Sequence, residues 1–232
     1  MLQLNGISKI FRTDSIETHA LRDISLTINE GEFVAITGPS GSGKTTLLNV
    51  LGMLENIDGG NYQLDGVDVS QLGDSAMSKI RNRKIGFVFQ SFNLLPDLNV
   101  EDNVDLPLRY REFNARERLQ RVRDALTRVG LSARAKHMPS ELSGGQQQRV
   151  AIARALAGSP RLILADEPTG NLDSLMARQV MELLEAIHDD GVTVVMVTHD
   201  PSLARRAQRH IYVLDGEISE VGLRAAPLLA NA

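Results

Sequence analysis

One stretch limits the folding options of this chain more than any other. Gly38-Pro39-Ser40-Gly41-Ser42-Gly43-Lys44-Thr45 fits the pattern G-x-x-x-x-G-K-[ST], and Thr46 continues it. Before it runs the apolar segment 33–36; after it Leu47, Leu48, Leu51 and Leu54 recur at helical spacing. The context therefore reads strand, glycine loop, helix over 44–54. Glycines let successive backbone N–H groups converge on phosphate oxygens, and the positive end of the following helix favours negative charge there. The expected ligand is a nucleoside triphosphate, with Lys44 on its β- and γ-phosphates and the Thr45 hydroxyl on Mg²⁺. Background composition yields such a match by chance in on the order of one chain in a hundred, before the context is counted.

Around this loop the pattern alternates. Leu2, Leu4 and Ile7, then Ile24, Leu26 and Ile28, repeat with period two, and 62–69 does so around the turn Asp65-Gly66. A short apolar strand is predicted over 85–89. From 91 to 160 the pattern becomes helical, broken by Pro96, Pro107, Gly130 and Pro139. Strand and helix then alternate again: 161–165, helix 174–189, 192–197, helix 202–207, 211–214 and 218–221. This order predicts an α/β fold with a mixed, mostly parallel sheet of the P-loop NTPase type, an antiparallel β subdomain and an inserted α-helical subdomain. The core is expected over 1–90 and 161–222, the helical insert over 91–160, and a partly disordered tail over 223–232.

A phosphate loop needs an acidic metal partner at a neighbouring strand end. The apolar run Leu162-Ile163-Leu164-Ala165 ends in Asp166, which is the expected Mg²⁺ residue; Glu167 follows and can hold the attacking water as general base. A second anion site is read at Leu142-Ser143-Gly144-Gly145-Gln146. Ser143 there is a good N-cap, and two glycines expose N–H groups at the start of a helix over 147–157.

Composition narrows the class. With 232 residues the chain has room for one large domain or two small ones, and with no cysteine it offers no disulfide, thiolate zinc site or cysteine nucleophile. A net charge of −4 gives no dominant attraction to nucleic acid. The Arg-rich run 109–134 is interleaved with acids at i,i+4 spacing, Glu112 with Arg116, Glu117 with Arg121 and Asp124 with Arg128, which reads as a solvated helix face and not a nucleic-acid surface. The N-terminus lacks the pattern of a signal peptide. The apolar runs 162–165 and 192–197 fall far short of the roughly 18–20 residues of a membrane span, so a soluble chain is expected.

The phosphate loop, Leu142 to Gln146 and Leu164-Ala165-Asp166-Glu167, in this order, resemble the nucleotide-binding subunits of ABC transporters over about residues 2–221. The resemblance implies an Mg-dependent ATPase. It places Phe11 where the family stacks an aromatic on adenine, Gln90 where a glutamine senses Mg²⁺ and the membrane subunit, and His199 where a histidine meets the γ-phosphate. Asn171-Leu172-Asp173 matches the loop linking two ATP sites, and Glu141 lies where the family often meets its membrane partner. Phe11 departs from the more usual tyrosine, which keeps stacking and removes a hydroxyl; read without the family, it is a core phenylalanine.

The phrases Gly86 to Gln90, Phe92-Asn93-Leu94-Leu95-Pro96 and Thr169 to Asp173 look like the macrolide-exporter and lipoprotein-releasing branch. Implied partners are a second copy of the chain in the ATP-bound state, with ATP between Lys44 of one and Ser143, Gly144, Gly145 and Gln146 of the other, and an integral membrane permease. Phe92, Leu94, Leu95 and Leu98 form either its docking groove or a small satellite core. No nucleic-acid partner is expected. The location implied is peripheral, on the cytoplasmic face of the inner membrane. The alternative is the ATPase of a non-transporting cell-division or signalling complex.

Overall fold

The computed structural model describes residues 1–13 and 16–221; the tail read from Leu223 lies outside the described residues. In chain order the elements are β1 (Leu2–Arg12), β2 (Glu17–Ile28), β3 (Phe33–Thr37), α1 (Lys44–Leu51), β4 (Gly59–Leu64), β5 (Val67–Asp68), α2 (Asp74–Lys84), β6 (Ile85–Phe89), α3 (Val100–Asp105), α4 (Ala115–Arg128), α5 (Gly144–Leu156), β7 (Leu162–Asp166), α6 (Ser174–Asp189), β8 (Thr193–Val197), α7 (Pro201–Ala204), β9 (Arg209–Leu214) and β10 (Glu217–Val221). Two compact units form. One holds residues 1–72 and the chain from Val195 on; the other holds 73–194, so the second crossing falls inside β8. Strands pair both parallel, β3 with β9 and β6 with β7, and antiparallel, as the α/β reading requires.

In the first unit, β2, β1, β4 and β5 form an antiparallel sheet in that order. Leu2 faces Ile28 and Leu4 faces Leu26, and the period-two residues Leu2, Leu4, Ile7, Ile24, Leu26 and Ile28 are buried. Each such side chain contributes about 1.5–3 kcal/mol by leaving water. The β4–β5 hairpin closes through Asp65 (φ 51°) and Gly66 (φ 75°), the two left-handed residues that a tight hairpin turn requires. β3 is buried along 33–36 and lies parallel to β9, which returns antiparallel into β10. Helix α1 ends three residues earlier than the apolar period suggests, because Gly52 caps it and Met53 turns to φ 54°.

In the second unit, β6 and β7 run parallel with Ile85 opposite Leu162 and Phe89 opposite Asp166. Between them the described residues hold helices and turns and no strand. Helix α6 matches its predicted span and buries Val180, Met181, Leu184 and Ile187. Helix α4 starts at a capping box between Asn114 and Glu117 and buries Val122, Ala125 and Leu126, leaving the rest of its surface to solvent. Most of α4 is exposed, as a solvated face would be, and its i,i+4 neighbours are not joined as ion pairs. Glu117 is taken by the capping box, Arg121 donates to Ser159 and lies over the Phe113 ring, Asp124 accepts from Gln120, and Arg128 pairs with Asp190. At solvent-exposed positions an i,i+4 pair is worth only a few tenths of a kcal/mol, so caps and more distant partners win. Among the described residues no helix is long and apolar enough to cross a membrane.

Candidate nucleotide site

The first unit carries the glycine loop. It leaves β3 at Thr37 and enters α1 at Lys44. Two of its glycines are dictated by close approach: a Cβ on Gly38 (φ 146°) would stand 2.1 Å from the Val213 carbonyl oxygen, and one on Gly43 (φ 106°) 2.4 Å from that of Ala20. Gly43 caps α1 without a side-chain hydrogen bond and no acid occupies the first turn, an arrangement that suits an anion at this helix start. Lys44 folds over the loop, its Nζ donating to the Pro39 carbonyl at 2.7 Å. Ser42 is buried with its Oγ unpartnered, while its carbonyl accepts from the Gly216 N–H at 3.0 Å, which ties the loop to the β9–β10 turn.

Two other sequence-chosen residues belong to this unit. His199 is exposed just beyond β8, whose end is fastened beside the loop by the Thr198 N–H on the Ile36 carbonyl at 3.1 Å. Asp200 next to it caps α7, and hydrogen bonds from Ser202 hold its carboxyl below the usual carboxylate range. Phe11, near the end of β1, is 41% exposed with the Lys9 ammonium 5.2 Å from its ring centre. That exposure overturns the reading of Phe11 as a core residue.

The second unit gathers the remaining residues. Asp166 ends β7 opposite Phe89, so Asp166 and Gln90 leave adjacent strand ends. Glu167, half-buried, sits at φ 45°. A left-handed conformation costs a non-glycine residue roughly 1–2 kcal/mol, and such strain concentrates at functional turns. The loop then doubles back, with the Gly170 N–H on the Glu167 carbonyl at 3.0 Å. Gln90 lies flat on Gly170, where a Cβ would come 2.7 Å from its Nε2, and exchanges two hydrogen bonds with Asn171: its Nε2 donates to Asn171 Oδ1 at 3.2 Å and its carbonyl accepts from Asn171 Nδ2 at 3.1 Å. Asp173 caps α6 through the N–H groups of Leu175 and Met176.

At the start of α5, Ser143 and Gln146 form a reciprocal capping box, Ser143 Oγ accepting from the Gln146 N–H at 3.3 Å. The helix therefore begins at Gly144, three residues before the predicted start. Gly145 is buried against Met176, which would lie 2.7 Å from a Cβ there. Glu141 is exposed and its carboxylate accepts from the Met138 N–H.

The Phe92–Leu98 loop is neither a satellite core nor slack. Leu95 is 44% exposed, and Phe92 and Asn93 take φ of 61° and 50°. Two polar side chains not singled out in the sequence, one buried and one part-buried, hold its backbone. Asn103, fully buried, accepts from the Leu95 N–H at 2.8 Å and donates to the carbonyls of Leu95, Leu98 and Asn99. Arg154 donates to the carbonyls of Phe92 and Asn93, and burial pushes its guanidinium below its ordinary pKa. Because removing Asn103 leaves several backbone groups unpaired, Asn103→Ala should cost about 2–4 kcal/mol. Chemical denaturation checks this; a loss below about 0.5 kcal/mol, the level of an ordinary surface change, would contradict it.

Among the described residues no three His, Cys, Asp or Glu side chains cluster as a metal site. The Thr45 hydroxyl in the first unit, and the Gln90 amide oxygen and Asp166 carboxylate in the second, are each hard oxygen donors of the kind Mg²⁺ takes.

Comparison with known proteins agrees with these features. Residues 21–170 match the ABC transporter family. The chain is 50% identical over 218 residues to the ABC transporter ATP-binding protein YvrO of Bacillus subtilis, covering 94% of this chain and 95% of that protein. It is 48% identical over 228 residues to the macrolide export ATP-binding/permease protein MacB of Rhodospirillum rubrum, covering 98% of this chain but 35% of that protein. Among solved structures, a dimeric post-hydrolysis state of the ATP-binding cassette MJ0796 bound to ADP and Pi superimposes with a TM-score of 0.88 at 46% identity, covering 97% of this chain and all of that one. The chain belongs to the ABC transporter family and is an ATPase of its macrolide-exporter branch.

Proposed function

We infer that the chain works as an ATP-closed homodimer that drives an integral membrane partner. The observation that carries the nucleotide reading is the Gly38–Thr45 loop with Lys44 folded across it at the uncapped start of α1. The dimeric form of the solved relative supports the assembly. In this reading residues 1–232 act as one nucleotide-binding domain. Phe11 stacks on adenine, the glycine loop with Thr46 holds the phosphates, and Ser143, Gly144, Gly145 and Gln146 of one subunit close over the ATP of the other.

Thr45, Gln90 and Asp166 would hold Mg²⁺, which would supply neutralisation of phosphate charge. Glu167 orients a water and takes its proton as the water oxygen bonds to the γ-phosphorus and the bond to the ADP oxygen breaks. His199 donates to the γ-phosphate and stabilises the charge that develops there.

The membrane partner is supported by the name of MacB, which joins an ATP-binding part to a permease. The reading for this chain is export or transmission of motion by a separate inner-membrane protein, with the ATPase held on its cytoplasmic face. The docking surface is the Phe92, Leu94, Leu95 and Leu98 loop, which shows an apolar side chain on a backbone locked from beneath by Asn103 and Arg154. Leu95→Asp should fold and bind ATP normally, since the side chain is exposed, yet bury an unpaired charge on docking. Pull-down of the membrane partner from co-expressing cells should fall at least tenfold; recovery at the wild-type level would remove the loop from the interface.

A further inference from the structure

Helix α5 starts at the Ser143 capping box, and five residues later it carries Gln148, a side chain with no solvent exposure. Its Nε2 donates to two carbonyls: that of Phe89 at 3.3 Å, at the end of β6, and that of Pro168, beyond the end of β7. Phe89 precedes Gln90, and Pro168 follows Glu167. One amide thus spans the exits of two parallel strands already in register at Phe89 and Asp166. Glu167 is held between a ladder-paired residue and a residue bonded to Gln148, in a left-handed conformation it would not adopt unaided. Gln90 is fixed from the other side by Asn171.

The other end of the Gln148 amide is unusual. Its Oε1 is buried with no hydrogen-bond partner, a state that buried polar atoms seldom keep. If Gln148 served stability alone, an apolar side chain of the same volume would forfeit only part of that stability: it removes the orphan acceptor, and the Phe89 carbonyl keeps the Phe92 N–H at 3.2 Å, while the Pro168 carbonyl loses its Gln148 donor. What an apolar side chain cannot do is register α5 against both strand exits.

We propose that Gln148 is a positioning residue that ties the signature helix to the backbone carrying Gln90 and Glu167, so that closing Ser143 over a neighbouring nucleotide sets the hydrolytic residues of the same subunit. The proposal rests on the ATPase reading above and extends it to communication between the two sites of the dimer. Gln148 does not touch the nucleotide; it acts through Glu167 and Gln90. Its loss should therefore lower turnover and spare binding, since misplacement by about 1 Å costs on the order of a hundredfold in rate.

The test uses Gln148→Met, which keeps volume and loses the donor, and Gln148→Asn, which keeps the amide but is one methylene too short to reach both carbonyls. For Gln148→Met, kcat should fall at least tenfold with KM and the ATP dissociation constant near wild type, while the melting temperature falls only modestly through the Pro168 carbonyl left without its donor. Hydrogen exchange should quicken at residues 89–91 and 167–170 but not within β6 and β7. Gln148→Asn should lie between Met and wild type in kcat. A kcat within twofold of wild type, or a parallel loss of affinity and melting temperature in both variants, would overturn the proposal, as would failure of both to fold. Wild-type turnover in the same assay judges the ATPase reading separately: its absence would defeat that reading, while exchange at 89–91 and 167–170 would still judge the clamp.

Discussion

Lys44→Ala should abolish Mg·ATP binding at micromolar nucleotide and take hydrolysis down with it. The Lys44 ammonium is held over the loop by a neutral carbonyl, that of Pro39, so it is pre-positioned and exchanges this weak partner for phosphate oxygens without rearranging α1. A charge-assisted contact to phosphate in a partly desolvated loop is worth roughly twice a neutral hydrogen bond, and in the proposed function Lys44 makes it to the phosphates on which the reaction centres. Affinity should weaken at least thirtyfold, which is about 2 kcal/mol. Isothermal titration of the variant with Mg·ATP is the check. A wild-type dissociation constant would show that the backbone N–H groups of 38–45 suffice for binding and that Lys44 has another purpose.

Glu167→Gln separates binding from chemistry. Glutamine keeps the shape of the side chain and its hydrogen bonding but cannot accept the proton of an attacking water. General-base catalysis typically contributes 10² to 10⁴ in rate, so turnover should drop by about that factor with Mg·ATP affinity unchanged. Asp166→Asn should behave differently: it removes metal-binding charge at the end of β7 and should weaken Mg·ATP binding itself. Single-turnover hydrolysis beside equilibrium binding for both variants distinguishes the roles. Equal losses of binding in the two would mean that neighbouring carboxylates do one job.

What could be read from the sequence, and what could not, divides by physical cause. Residues 33–54 were legible because glycines at forced φ values and an unbroken apolar strand leave little choice. Helix α6 was legible end to end because Asp173 caps it and its apolar period is long. Helix α2 (Asp74–Lys84) gave no signal: it buries no residue, so no apolar period exists to find. Only its acidic first turn and basic last turn, matched to the helix dipole, betray it. Helix α7 proved shorter than the 202–207 reading, since Asp200 and Pro201 start it early and it ends at Ala204.

Among the candidate residues, Lys44, Asp166 and Ser143 stand out in the sequence because the chemistry proposed for them follows from short local patterns. Gln148, Asn103 and Arg154 were not, because each acts on backbone carbonyls distant in sequence, and a carbonyl has no side-chain identity to read. One hint existed for Gln148: it stands three, four and seven residues before Ala151, Ile152 and Ala155, all buried, so the period of α5 places it on the inner face. A polar residue on such a face must find partners. The partners taken by the charges along α4 were not legible for the complementary reason, that sequence spacing alone cannot see competing caps and neighbours.

The claim on which the account turns is that ATP closes two copies of this chain and hydrolysis reopens them. Each chain has a mass of 25.4 kDa. The direct measurement is the solution mass of Glu167→Gln by light scattering, without nucleotide and in saturating Mg·ATP. The account predicts a single-chain mass without nucleotide and twice that mass with Mg·ATP, the doubling abolished when Lys44→Ala is added. A single-chain mass in saturating Mg·ATP, with binding confirmed in the same sample, would contradict it.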